Sequence, residues 1–160
     1  AYDDVRGVHP LVRWYSDFTQ GAGNVGTDGK HIVWTYGEQK PLGEPLYPVR
    51  SIMAADYTTD PSELAPKRLR SDPSADIGNP FVVGCGYAAH QGPTPQDTII
   101  VRIADGVSWT LTGVQLEWSW GVPIGLTCED LFTLVFTPPK YQPNIARVRL
   151  DSLGPGTAPD

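Results

Sequence analysis

The chain has 160 residues, room for one domain with a real core, in which roughly two-thirds of the unfolded surface would be buried. Eighteen acidic against 12 basic side chains give a net charge of −6, so no cationic field draws the chain to nucleic acid or anionic lipid. No run approaches the roughly 18 apolar residues of a membrane span, and Gly 17 with Pro 16, beside 40% hydrophobic residues, read as many turns rather than disorder.

Residues 1–24 read as a leading segment with one strand, Leu11-Val12-Arg13-Trp14-Tyr15, and a Gly-rich turn, Gly21-Ala22-Gly23-Asn24. The chain opens at Ala1 without an initiator Met and without a signal-peptide core. That fits a trimmed precursor, a secreted mature form or a piece of something longer, and the expected location is extracytoplasmic or secreted.

From residue 25 one pattern comes round three times, in units over 25–72, 77–112 and 118–152: an apolar run opened by a turn, then a second run ending at an Asp-containing turn. In the first unit the turn Gly26-Thr27-Asp28-Gly29 leads into Lys30-His31-Ile32-Val33-Trp34-Thr35-Tyr36. The second run is Ser51-Ile52-Met53-Ala54-Ala55-Asp56, and Lys67-Arg68-Leu69-Arg70-Ser71 adds a third strand that reads as a solvated sheet edge. The second unit pairs a run over 81–89 with Thr98-Ile99-Ile100-Val101-Arg102-Ile103. Ile99, Val101 and Ile103 fall on one face of that strand, and Ile100 and Arg102 on the other. Asp105-Gly106 is a hairpin turn into Val107-Ser108-Trp109-Thr110-Leu111. The third unit pairs a run over 126–136 with one over 145–150, where Ala146, Val148 and Leu150 face in and Arg147 and Arg149 face out. Residues 153–160 are a Gly/Pro-rich tail, a linker or a frayed end. The one helical candidate, Ser62-Glu63-Leu64-Ala65, lies between Pro61 and Pro66 and makes a single turn at most, so the chain is all β.

The turn before each first run, the close at Ala104-Asp105-Gly106 and the third strand after it resemble the blades of a bacterial β-propeller of the TolB-like or kelch-like kind, over about residues 25–152. The blade-sealing dipeptides of WD repeats and the diglycine of kelch are missing. The resemblance implies about three blades in an open arc, closed by oligomerisation or by a missing part. An open arc leaves the apolar face of each terminal blade uncovered. A β-sandwich is the alternative. Propellers host hydrolases, lectins, scaffolds and receptors alike, so the resemblance carries no activity with it.

Cys85 and Cys128 allow either one disulfide, which would close a loop of about 40 residues and add roughly 3–4 kcal/mol, or two buried free thiols. Each falls in the first strand of its unit, so a bridge would join neighbouring sheets near their inner edges. His9, His31 and His90 lie beside turns or strand ends and read as surface or capping residues. Asp56, Asp60, Glu63, Asp72 and Asp76 match no calcium loop and read as turn residues; Glu129 and Asp130 point to opposite faces of a strand and cannot act together. No cofactor motif is present.

The aromatic pairs are the better lead. Trp118 with Trp120, and Trp34 with Tyr36, each place two rings on one face of an extended segment, where they either pack a core or stack on a sugar or a partner. These observations point to a non-catalytic β-repeat protein that binds a partner or assembles with itself. The alternatives are a carbohydrate-binding, lectin-like module and part of a hydrolytic propeller enzyme. The expected partners are a second copy, another protein or a glycan, with no nucleic acid and no membrane insertion.

Overall fold

Runs rich in Val, Ile, Thr and aromatic residues, punctuated by Gly and Asp, become short antiparallel strands throughout. The computed structural model describes residues 2–3, 7–8, 20–38, 49–58, 60, 63–72, 81–94, 96–112, 120–137 and 142–159. A short hairpin, β1 (Tyr2–Asp3) with β2 (Gly7–Val8), comes first. A first sheet holds β3 (Gln20–Thr27), β4 (His31–Glu38), β5 (Val49–Asp56) and β6 (Lys67–Asp72). A second holds β7 (Phe81–Gly84), β8 (Tyr87–Gln91), β9 (Thr98–Arg102) and β10 (Ser108–Leu111). The third has β11 (Trp120–Leu126), β12 (Asp130–Thr137) and β13 (Gln142–Arg149), followed by a 3-10 turn, Leu150–Ser152. Within each sheet the strands follow chain order as an antiparallel meander, and no α-helix occurs among the described residues.

The three sheets stack as layers with the second in the middle. Val33, Ile52, Ala54 and Leu69 of the first pack against Ala88, Ile99, Val101 and Ile103. On its other face the second sheet packs Ala89 and Ile100, with Val82 and Trp109, against Leu131, Leu150, Leu126 and Val148. Ile99, Ile100, Val101 and Ile103 are almost wholly buried in the alternation expected, and each such side chain contributes about 1.5–3 kcal/mol. Among the described residues strand pairing does not run from one of these three sheets into the next, so they form three layers rather than the two of a sandwich.

The sheets are built alike. His31 pairs with Asp56, Tyr87 with Arg102 and Asp130 with Arg149, each at the start of a second strand and the end of a third. In every case the next N–H closes the corner: Tyr57 N–H donates to Lys30 O at 2.7 Å, Ile103 N–H to Gly86 O at 2.8 Å and Leu150 N–H to Glu129 O at 2.8 Å. Counting back from these pairs, Ile52, Thr98 and Ile145 occupy one structural position, and Ala54, Ile100 and Arg147 another.

Several expectations are corrected. The runs over 81–89 and 126–136 are not single strands: each is broken by a tight turn, at Cys85-Gly86 and over 127–129. Cys85 and Gly86 both take positive φ, 49° and 81°, the geometry of a two-residue hairpin turn. The cysteines therefore sit in turns, not in first strands. The tail is no frayed end. Ser108 and Thr157 exchange backbone hydrogen bonds of 2.9 and 2.8 Å, and Trp109 Nε1 donates to Gly154 O at 2.8 Å, so the tail covers the outer edge of β10. His90 is fully buried rather than superficial, with Nδ1 donating to Gln91 O at 2.6 Å.

Candidate functional site

At one end of the stack the three first turns meet. Asp28, with a side chain 4% exposed, accepts from Lys30 N–H at 3.0 Å and His31 N–H at 2.8 Å, and from Gly86 N–H of the second sheet at 2.7 Å. His31 Nδ1 lies 3.0 Å from its second oxygen. Burial pushes the Asp28 carboxyl up, but the His31 imidazole and the three amide donors outweigh it and hold the group well below the usual carboxylate range. Asp28 thus ties the first sheet to the second. The Cys85–Cys128 disulfide, with a Cα–Cα distance of 5.0 Å, ties the second to the third. The backbones crowd here: a Cβ on Gly26 would come within 2.6 Å of Val83 Cγ2, and one on Gly84 within 2.7 Å of Leu126 O. This end of the molecule is a clamp.

The opposite character appears on the third sheet. Val122, Leu134 and Ile145 are in register across its three strands and form an apolar row on the face turned away from the second sheet. Ile145 is 67% exposed, and Ile124, at the irregularity between Pro123 and Gly125, is 46% exposed. At the position of Ile145 the first two sheets carry Ile52 and Thr98, both 0% exposed because the next sheet covers them. At the position of the equally buried Ala54 and Ile100 stands Arg147, with Nε 2.8 Å from Asp130 Oδ1. Arg149 forks onto Asp151 at 3.0 and 2.6 Å. The outward face is therefore apolar across its middle and carries paired arginines along β13.

Among the described residues the side of that strand is open as well. Leu150 N–H points to β12, so in strict alternation the backbone groups of Ile145, Arg147 and Arg149 point the other way. Ser152 Oγ takes the Arg149 carbonyl at 2.7 Å. In the first two sheets the matching edge receives β6 and β10; among the described residues no strand pairs there with β13.

The aromatic residues singled out in the sequence do not come together. Trp34 is 5% exposed, packed with Ile32 and Ala55 on the outer face of the first sheet, with half-buried Tyr36, Met53 and Leu64 around it. Trp34 is thus a core side chain and the first sheet's outer face is covered around it, whereas Val25, in register with Trp34 on the same face, is 67% exposed. Trp118 lies outside the described residues, as do His9 and Asp76. Trp120 opens β11, paired with Phe136, and only its backbone position is described. Among the described residues no group of three His, Cys, Asp or Glu is placed to hold a metal ion, and no helix is long and apolar enough to cross a membrane.

Sequence reasoning missed Asp28 as a joint. The available signal was positional: Asp28 lies in the first turn of its unit, as Cys85 and Cys128 lie in theirs. No protein family, curated protein or solved structure matches this chain.

Proposed function

We propose that the chain is a non-catalytic, propeller-like β-repeat module that works outside the cytoplasm and assembles with a second copy of itself through the outward face of its third sheet. The observation that carries this reading is the 67% exposure of Ile145 at a position where both preceding sheets bury their residue completely. An apolar row continuous across three strands supports an interface, because water is a poor cover for such a surface. A two-fold contact would set the row of one copy against the same row of the other, with Arg147 and Arg149 at the rim. The disulfide supports an oxidising compartment. The non-catalytic reading is supported by the Asp28–His31 pair, whose carboxylate is occupied by backbone donors that join two sheets.

The test is molar mass by light scattering over a concentration series. The reading expects at least twice the 17.4 kDa chain, and a return to 17.4 kDa in Ile145→Asp, which melts with the wild type at dilutions where both are single chains. A wild-type protein that stays at the mass of one chain up to its solubility limit overturns it.

A further inference from the structure

We infer that the open edge of β13 is a strand acceptor for an extended segment of a protein partner, which adds antiparallel opposite residues 145–148. This surface is the side of the third sheet, not its face, and the inference does not rest on self-association. It rests on the likeness of the sheets. In the second, the strand matching β13 is β9, and β10 lies on its edge with Ser108 opposite Val101, Trp109 opposite Ile100, Thr110 opposite Ile99 and Leu111 opposite Thr98. The same positions in β13 are Val148, Arg147, Ala146 and Ile145. There Arg102 takes both its backbone bonds from the added segment, donating to Val107 O at 2.8 Å and accepting from Gly106 N–H at 2.9 Å. In the third sheet the chain turns away instead, through Leu150–Ser152, to bridge Ser108 of the second sheet.

The template fixes the chemistry of the occupant. A strand in the place of β10 sets small polar residues opposite Val148 and Ala146, an aromatic residue opposite Arg147 and an apolar one opposite Ile145. The aromatic position has a ready neighbour. In the second sheet the Arg102 guanidinium lies 5.5 Å from the Trp109 ring centroid, and Arg149 is its counterpart in the third. Main-chain pairing supplies affinity and the alternate side chains supply selectivity. Pro143, which cannot donate, and the charges of Arg147 and Arg149 limit indiscriminate pairing along the same edge.

The probe is a synthetic peptide with the sequence of residues 105–112, titrated into the intact protein below the concentration at which copies associate. The expected result is saturable binding with at least about tenfold slower amide exchange at Ile145, Arg147 and Arg149, the change that one added hydrogen bond per amide produces. A second peptide, N-methylated at its Trp and final Leu so that the amides facing β13 are blocked, is expected to bind at least about tenfold more weakly; methylation at its Ser and central Thr leaves binding intact. Absence of binding, protection elsewhere than on β13, or equal binding of both methylated peptides overturns the inference. A monomer that binds the peptide removes only the self-association reading, and a dimer that ignores the peptide removes only this one.

Discussion

At Asp28 two opposing effects meet in one side chain, and the donors win. Because its folded-state carboxyl lies below the ordinary value near 3.9, the contribution to stability is complete above about pH 4 and is lost as the pH falls from there toward the folded-state value. The melting temperature is therefore expected to fall steeply below about pH 4. Asp105 and Asp151 are also lowered, by Arg102 and Arg149, but those pairs are exposed and weaken in salt, so the part of the fall that survives high salt belongs to Asp28. Asp28→Asn presents an NH2 group to Gly86 N–H, donor against donor, and is expected to lose about 1–3 kcal/mol at pH 7 and to flatten the acid limb. A variant that melts with the wild type at both pH values contradicts the clamp. In the sequence Asp28 reads only as a turn residue, since nothing local shows that its second oxygen reaches an amide 58 positions away.

Among the elements, the buried middle strand was plain from its period of two, because Ile99, Val101 and Ile103 face one neighbour and Ile100 the other. That placement gives a contrast within one residue type. Ile100→Ala, at 0% exposure, is expected to cost about 2–5 kcal/mol in denaturant unfolding, whereas Ile145→Ala, at 67%, stays within about 0.5 kcal/mol for the single chain. The first strands were illegible for physical reasons. β7 turns into β8 through Cys85-Gly86, which adopts the left-handed region without the Asn or Asp that usually announces it. β11 contains Gly121, Pro123 and Gly125, which weaken a strand signal, and its register slips between the last two. The cysteines lie in facing turns rather than in first strands, and the bridge joins them across a Cα–Cα distance of 5.0 Å. Replacing both with Ser opens a loop whose ends are 43 positions apart and is expected to remove about 4 kcal/mol, read as a lower melting temperature under non-reducing conditions. Equal melting of the two proteins contradicts a load on that bridge.

For the molecule as a whole, the all-β class and the threefold recurrence were legible because each unit ends its third strand at an Asp or Arg corner of the same build. Layer order and the state of the two ends were not, because a strand's alternation shows that a face is apolar and not what lies on it. Trp34 and Ile145 illustrate the gap: both occupy outward faces of end sheets, yet one is 5% and the other 67% exposed. The third sheet leaves open, among the described residues, the positions that the first two close. Residue-resolved amide hydrogen exchange on the unliganded single chain tests it most directly. The Ile145 and Arg147 amides of β13 are expected to exchange at least about a hundredfold faster than those of Ile52, Ala54 and Ile100, which occupy the same positions in closed sheets. Equal protection at all five amides would contradict it.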